Sequence, residues 1–270
     1  MRKEIKKFLV LSVIVLSAAC NTGGSSQTQT TSTSANTSTV ATINYQVVNI
    51  YPHDTASFTE GLFLNNGKMY ESTGDPDGNN SSKLLCYDYK TGKVFQSISV
   101  PHYFGEGISV VGNKLYQLTW KEHKVFVYDF PSLKKVGEMS WQHEGWGMTT
   151  DGKNLILSDG SSNLYYVNPA DFSLIKTVNI IGEYGPQVNI NELEYVDGLI
   201  YADVYQENNI IKIDPQAGKV IGQLDLTNIR ENNGIATSGD VLNGIAYDST
   251  THTFLITGKY WTKIFELKLE

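Results

Sequence analysis

The chain has 270 residues, of which 40% are hydrophobic, 11% aromatic and 18% charged. That composition supports a packed core and excludes a chain that is disordered throughout. The net charge of −7 argues against nucleic acid as a partner, because phosphate binding needs clustered positive charge. With only two cysteines, neither a disulfide framework nor a cysteine-based zinc site is expected.

The first residues have the pattern of an export signal. A basic start is followed by an apolar run over residues 8–16, which is too short for a permanent membrane span. Small residues then precede Cys20, as at bacterial lipoprotein cleavage sites, so we expect residues 1–19 to be a signal peptide and Cys20 to carry a lipid. The alternative is an ordinary signal peptide with an incidental cysteine. Residues 20–42 are mostly small and polar, which predicts a flexible tether and hence an exported, membrane-anchored protein.

The rest of the chain, residues 43–270, contains five related segments. Each has the pattern of a short strand, a turn with Gly or Asp, and a second strand of alternating apolar residues. The segments begin at Thr59, Gly105, Gly145, Asn191 and Leu242. A repeat of about 40 to 50 residues with about four strands is typical of a propeller blade. A two-sheet sandwich with accidental periodicity is the alternative.

The fifth segment has no outer strand after it in the sequence. Residues 43–51 (INYQVVNIY) can supply this strand by pairing with residues 263–268. We therefore predict an all-β fold, a five-bladed β-propeller of four-stranded antiparallel blades whose ring is closed by the N-terminal strand.

The predicted innermost strands begin with polar residues where a core strand would be apolar. The motifs FTEG, FGEG, EGWG and NELE bring carboxylates from four blades near the axis, beside Phe and Trp side chains. Carboxyl groups crowded in a dry channel have raised pKa values and can donate and accept protons near neutral pH. Glu106 stands out because two glycines flank it and allow a ligand or backbone to approach closely. For Glu144, Glu192 and Glu194 we favour a structural interpretation, in which they hydrogen-bond the inner-strand backbone.

A lysine in the fifth segment has unusual neighbours. Lys259 lies between Gly258 and two aromatic residues, which indicates positive charge inside an aromatic pocket. The alternative is an exposed lysine at a strand end that lies over aromatic rings. Trp120 occupies the equivalent place in the second segment. The five histidines show no metal-ligand spacing, and Cys86 is expected to be a buried apolar residue.

The motifs FTEGL, ESTG, FGEGI, LTW, EGWGM, NELEY and LNGIAYD with TGKYW together resemble the plant-type and bacterial glutaminyl cyclases, also called glutamine cyclotransferases. The resemblance runs from about Tyr51 to the C-terminus. It implies an enzyme without metal or cofactor that converts the N-terminal glutamine of a peptide or protein to pyroglutamate and releases ammonia. We expect a monomer whose only membrane contact is the Cys20 lipid.

The same resemblance implies roles for nine residues. Glu106 would transfer the proton, and Lys259 and Asn191 would polarise the reacting amide. The substrate-binding positions would be Phe58, Glu60, Phe104, Trp120, Trp146 and Tyr205. Two of these depart from the family pattern, since Glu60 stands where many members have glutamine and Tyr205 where tryptophan is common. We expect both changes to alter substrate preference and affinity rather than the reaction.

Two other functions remain open from the residues alone. A calcium-dependent propeller hydrolase or lactonase would arrange oxygens of Asn191, Glu192, Asn243 and Glu60 around one axial ion. A non-enzymatic propeller would instead bind a peptide or glycan at the cell surface. Bound calcium favours the first, and an activity that survives Glu106→Gln favours the second.

Overall fold

The structure is a computed structural model that describes residues 40–235 and 241–270. The predictions for the signal peptide, for the lipid on Cys20 and for the tether up to residue 39 therefore lie outside the described residues. Within the described ranges, the chain forms strands and one six-residue helix. No helix in those ranges combines the length and the apolar character needed to cross a bilayer.

The strands follow one another in short hairpins. The chain starts with β1 (Ala41–Thr42) and β2 (Tyr45–Pro52). The next four are β3 (Thr59–Asn65), β4 (Lys68–Thr73), β5 (Lys83–Asp88) and β6 (Lys93–Ser99). They are followed by β7 (Gly105–Val111), β8 (Lys114–Thr119), β9 (Lys124–Asp129) and β10 (Lys134–Ser140).

The second half of the chain repeats this pattern with additions. Its first strands are β11 (Met148–Thr150), β12 (Leu155–Leu157), β13 (Asn163–Val167) and β14 (Leu174–Asn179). The next are β15 (Ile181–Gly182), β16 (Gly185–Pro186), β17 (Ile190–Val196), β18 (Leu199–Val204), β19 (Asn209–Asp214) and β20 (Lys219–Asp225). Helix α1 (Thr227–Asn232) then precedes β21 (Leu242–Asp248), β22 (Thr253–Gly258) and β23 (Lys263–Leu269).

These strands assemble into five sheets, each built on four antiparallel strands. Strands β3 to β6, β7 to β10 and β11 to β14 form the first three sheets. The fourth contains β17 to β20, and β15 and β1 extend it along β20 in parallel. In the fifth sheet β2 pairs antiparallel with β23, beyond β21 and β22. The predicted all-β propeller is confirmed, and the sandwich alternative is wrong.

The hairpin turns show how the sequence sets the register. Asn65 pairs with Lys68, and the two residues between them, Asn66 and Gly67, have φ values of 50° and 72°. Positive φ at both positions is the type I′ turn, whose twist matches that of the flanking strands. The Asn-Gly pair therefore fixes where β3 ends and β4 begins.

The innermost strands of neighbouring sheets lie next to one another. Each contacts the innermost strand of the next sheet, and β21 contacts β3. Glycine is required where these backbones meet, since a Cβ on Gly107 would collide with the backbone at Met148, and one on Gly147 with the carbonyl of Asn191. Gly107 N also donates to the carbonyl oxygen of Trp146 at 2.7 Å. The glycines beside the polar motifs thus bring the starts of neighbouring inner strands together.

The apolar core lies between the faces of adjacent sheets. One cluster joins the second and third sheets and includes Leu118 and Leu157, both 0% exposed. Full burial of one such side chain contributes about 1.5–3 kcal/mol. Packing of this kind involves the faces of the sheets. The polar residues at the inner strand ends take no part in it and are available to form a site.

Candidate active site

The polar residues at the inner strand ends lie in β-bulges. In β3 the register with β4 shifts between Thr59 and Gly61, which leaves Glu60 as an extra residue. A bulge turns a side chain away from the alternation of the strand and often occurs beside an active site. The register shifts in β7, β17 and β21 span the equivalent residues Glu106, Asn191 and Asn243.

A cavity of about 260 Å³ opens at this end of the propeller. All nine residues to which the sequence assigned catalytic or substrate-binding roles line it, and one further residue, Pro76, does so as well. Its lining is Phe58, Glu60, Pro76, Phe104, Glu106, Trp120, Trp146, Asn191, Tyr205 and Lys259. The structure therefore brings together residues from all five repeated segments at one site.

A buried ion pair forms part of the cavity lining. Lys259 Nζ lies 2.6 Å from Oε1 and 2.7 Å from Oε2 of Glu60. The two residues are 5% and 2% exposed, so each charge depends on the other for compensation. Asn243 Nδ2 donates to Glu60 Oε2 at 3.3 Å and to the carbonyl of Thr59 at 2.9 Å, which holds the carboxylate in place.

Glu106 lies beside this pair and shares a hydrogen bond with Glu60. Burial, and next the charge of Glu60, raise the pKa of Glu106 well above its usual range, although Lys259 acts in the opposite direction. Burial also raises the pKa of Glu60, against the lowering effect of Lys259. Because Glu60 has the direct contact with the ammonium group, Glu60 is the negative partner and Glu106 keeps a proton.

Asn191 supplies a polar group without a partner. It is 3% exposed, and among the described residues its Oδ1 has no hydrogen-bond partner. Its own backbone oxygen accepts a hydrogen bond of 2.7 Å from Ser158 Oγ, which anchors the residue. A buried amide oxygen that lines a cavity and has no partner is suited to accept a hydrogen bond from a ligand N–H group.

Half-buried aromatic rings form the walls. Lys259 Nζ lies 4.4 Å from the ring centroid of Phe58 and 5.5 Å from that of Tyr205. Trp146 packs edge-to-face on Tyr205, with centroids 5.4 Å apart. The predicted aromatic pocket around Lys259 is therefore present, and the alternative of an exposed lysine is wrong.

Two of the other acidic residues have structural roles, as the sequence indicated. Glu192 accepts hydrogen bonds from the backbone N–H of Leu62 at 3.1 Å and of Ile245 at 2.8 Å. Glu194 accepts from Tyr247 N at 2.9 Å, and burial raises the pKa of Glu194 to about 8. These carboxyl groups join the fourth sheet to the first and fifth.

Glu144 does not follow that interpretation. Its Oε2 accepts hydrogen bonds from the indole N–H of Trp120 at 2.8 Å and of Trp146 at 3.1 Å. The prediction that it bonds the inner-strand backbone is wrong, because the third sheet starts later than the others, at Met148, and leaves Glu144 in a loop.

Four of the oxygens that a calcium site would need are engaged elsewhere, whereas Oδ1 of Asn191 and Oδ1 of Asn243 have no hydrogen-bond partner among the described residues. Both oxygens of Glu192 accept backbone hydrogen bonds, and both oxygens of Glu60 contact Lys259. Over the described ranges, no three His, Cys, Asp or Glu side chains cluster as a metal site would require. The arrangement supports proton transfer and amide polarisation rather than coordination of an axial ion.

Sequence reasoning missed two residues at the pocket. Pro76 belongs to an Asp-Pro-Asp-Gly loop, a pattern that indicates a turn but carries no chemical signal. Tyr260 packs against Phe58, with centroids 5.1 Å apart. The sequence feature that could have identified Tyr260 as a pocket residue is its position directly after Lys259.

Comparisons with known proteins agree with the motif resemblance. A family model described as glutamine cyclotransferase matches residues 15–269. Over 233 residues the chain is 37% identical to the glutaminyl-peptide cyclotransferase of Arabidopsis thaliana, covering 83% of this chain and 71% of that protein. The crystal structure of Myxococcus xanthus glutaminyl cyclase matches with a TM-score of 0.79 at 31% identity, covering 86% of this chain and 98% of that one. The chain belongs to the glutamine cyclotransferase family.

Proposed function

We infer that the protein is a glutaminyl-peptide cyclotransferase, an enzyme that closes the N-terminal glutamine of a peptide to pyroglutamate and releases ammonia. The observation that carries this inference is the convergence of Glu106, Asn191 and Lys259 on one cavity. They belong to the second, fourth and fifth sheets, so only a shared site explains why polar groups so distant in sequence meet.

The cavity fits one glutaminyl side chain. Its volume of about 260 Å³ accommodates a residue of that size but not a folded peptide segment. The aromatic walls pack against the two methylene groups and exclude water, which limits competing hydrolysis to glutamate. The rest of the peptide extends out through the mouth.

Ring closure starts with the α-amine in its neutral form. The amine nitrogen attacks the carbon of its own γ-carboxamide, and holding the chain bent supplies much of the acceleration. Negative charge develops on the carboxamide oxygen, where the ammonium group of Lys259 and the side-chain NH₂ group of Asn191 stabilise it as hydrogen-bond donors. An ammonium group has three N–H donors, so Lys259 keeps one for substrate while it contacts both oxygens of Glu60.

Glu106 then moves the proton. The carboxamide nitrogen needs one proton to leave as ammonia, and protonated Glu106 donates it. The resulting carboxylate takes one proton from the ring nitrogen, which has become positively charged by the attack. Glu106 thus returns to its starting state with each cycle, and the raised pKa of its carboxyl group is what makes the first donation possible.

Ammonia release from a glutaminyl dipeptide tests the reaction. We expect ammonia and pyroglutamyl product in equal amounts, and none from the matched asparaginyl dipeptide, which is one methylene shorter. Activity should persist in EDTA. Loss in EDTA with recovery on adding calcium would support the hydrolase alternative instead, and absence of ammonia with binding of the peptide would support the non-enzymatic one.

We propose that the five sheets are the blades of one closed ring and that β2 is the closing strand. The register from Tyr45 opposite Leu269 to Pro52 opposite Lys263 supports this, as does the contact between β21 and β3. Removal of the residues up to and including Pro52, which deletes β2, should therefore lower Tm strongly. Removal of only the residues that precede Ile43 should not. Equal Tm values for the two truncated proteins would contradict the proposal.

We also propose that the protein is an exported lipoprotein with Cys20 as the lipidated residue and that its catalytic region, residues 43–270, is monomeric. The small residues before Cys20 and the polar tract after it support the anchor. Radiolabelled fatty acid should label the parent but not the Cys20→Ala variant. Light scattering should give the mass of one chain.

A further inference from the structure

One carboxylate oxygen joins two walls of the cavity. Oε2 of Glu144 accepts a hydrogen bond from Trp120 Nε1 at 2.8 Å and another from Trp146 Nε1 at 3.1 Å. Both indoles line the cavity, whereas Glu144 lies outside it. The residue thus contacts the walls and not the enclosed space.

The aromatic wall consists of two groups of rings, and Glu144 links them. In the first group Phe104 packs against Trp120, with centroids 5.4 Å apart. This group continues through Phe58, which contacts Phe104 at 6.0 Å. The second group is Trp146 with Tyr205, at 5.4 Å. Since the carboxylate bonds the end member of each group, it sets the separation of the two groups across the mouth.

The link has the character of a strong hydrogen bond. An indole N–H is a donor only, and a charged acceptor binds it more strongly than a neutral one. Lys121 supports the arrangement from outside, with Nζ 3.7 Å from the ring centroid of Trp120 and 3.9 Å from Glu144 Oε1. The Glu144 side chain is 39% exposed, so water still solvates the carboxylate on its outer side.

We propose that Glu144 is a positioning residue that fixes the spacing of the Trp120 and Trp146 indoles and thereby sets the affinity for the glutaminyl side chain. The proposal rests on the function inferred above. It separates binding from chemistry, because Glu106 and Lys259 make their hydrogen bonds with Glu60 on the first sheet and not with Glu144. Loss of Glu144 should therefore act on KM and leave kcat nearly unchanged.

Steady-state kinetics with a glutaminyl dipeptide test this separation. For Glu144→Ala we expect KM to rise about tenfold, which corresponds to the loss of hydrogen bonds to a charged acceptor, with kcat within about twofold of the parent. Glu144→Gln keeps one acceptor oxygen of the same reach and should recover part of the affinity. The matched control is Glu183→Ala, which removes an exposed acid from the hairpin between β15 and β16 and should leave KM unchanged.

A double-mutant cycle decides whether Glu144 acts through the indoles. The double variant Trp120→Phe with Trp146→Phe keeps aromatic rings at both positions but removes the N–H donors. In that background Glu144→Ala should have no further effect on KM. A full tenfold effect in the phenylalanine background, or a fall in kcat at constant KM, would overturn the proposal.

Tryptophan fluorescence keeps the proposal separate from the proposed function. Glu144→Ala should shift the emission to longer wavelength and increase acrylamide quenching, because the two indoles lose their common acceptor and open to water. If the parent releases no ammonia from any glutaminyl peptide, the function is wrong, and the fluorescence comparison still tests the link. Unchanged emission and quenching would contradict the positioning role whatever the reaction is.

Discussion

Lys259 and Glu60 are 199 residues apart in the sequence, yet Nζ of the lysine contacts both carboxylate oxygens of the glutamate at 2.6 and 2.7 Å. The contact has two consequences. Of the two neighbouring carboxyl groups, Glu60 and Glu106, it makes Glu60 the negatively charged one. It therefore leaves the proton on Glu106. A glutamine at position 60 has no charge with which to do either.

Glu60→Gln should therefore change the pH dependence of turnover. The negative charge of Glu60 raises the pKa of Glu106. Its removal lowers that pKa, so Glu106 loses its proton at lower pH. If the protonated form starts the reaction, the alkaline limb of the kcat profile moves to lower pH. The measurement is kcat for a glutaminyl dipeptide between pH 6 and 10.

The matched comparison is Glu122→Gln. Glu122 is exposed and also raises the pKa of Glu106, but as the weakest of its causes. Its substitution should shift the same limb in the same direction and by less. A limb that stays in place in Glu60→Gln would show that Glu106 is not the group that titrates.

Glu106→Gln should abolish most of the turnover. The amide keeps the shape and the hydrogen-bonding capacity of the side chain but carries no transferable proton. General acid–base catalysis contributes about 10²- to 10⁴-fold, so kcat should fall by that factor while KM changes little. Circular dichroism should show the parental fold and a similar Tm. Cyclisation at the parental rate would mean that the proton moves by another route.

Lys259→Met should affect stability as well as catalysis. Loss of an oxyanion donor lowers kcat by about 10²- to 10³-fold. It also leaves Glu60 buried without its counter-charge, and breaking a buried pair in this way destabilises a protein by about 3–5 kcal/mol. The free energy of unfolding from urea titration should fall accordingly.

The double variant Lys259→Met with Glu60→Gln separates these effects. Since no uncompensated charge remains, most of the lost stability should return. The turnover should stay low, because the donor is still missing. Recovery of turnover together with stability would assign Lys259 a purely structural role.

Much of the fold and site could be predicted because each repeated segment carries its own local signals. The alternation of apolar residues indicated the strands, and the turn with Gly or Asp that was expected in each segment is present in the first segment at Asn66-Gly67. The polar residues in the bulges were visible as exceptions to this alternation. Partners across sheets were not visible, because no local pattern reveals that Glu144 meets two indoles or that Glu60 meets Lys259. Such contacts depend on how the sheets pack against one another.

A second buried pair lies behind the site. His53 Nε2 is 3.3 Å from both oxygens of Glu71, and His53 Nδ1 is 2.8 Å from the carbonyl of Trp261. Thr59 Oγ1 donates to Glu71 Oε1 at 2.7 Å. The pair thus connects the residue before Glu60 to the loop that follows Lys259.

The stability that this pair provides should depend on pH. Burial, the largest single cause, lowers the pKa of His53, but the charge of Glu71, the hydrogen bonds to Glu71 and to the Trp261 carbonyl, and the charge of Asp54 together outweigh it, and the pKa is raised above the ordinary value of 6.5. Burial likewise opposes ionisation of Glu71, yet His53 and its hydrogen bonds leave that pKa below the ordinary 4.5. The histidine contribution is complete below pH 6.5 and is lost as pH rises through the raised value. The glutamate contribution is complete above pH 4.5 and is lost at lower pH.

The pair should therefore stabilise the fold most between pH 4.5 and 6.5. The comparison is the unfolding free energy of the parent against the double variant His53→Gln with Glu71→Gln, measured by urea titration from pH 4 to 9. Hydrogen bonds between charged partners contribute about 1.5–3 kcal/mol, and we expect a difference of that size near pH 6. The difference should shrink as pH rises through the raised pKa of His53, because the parent loses the charge of His53 there whereas the double variant has no group here to titrate. A difference that is constant across the range would mean that folding shifts the pKa of neither side chain and that their contact with the Lys259 loop does not depend on charge.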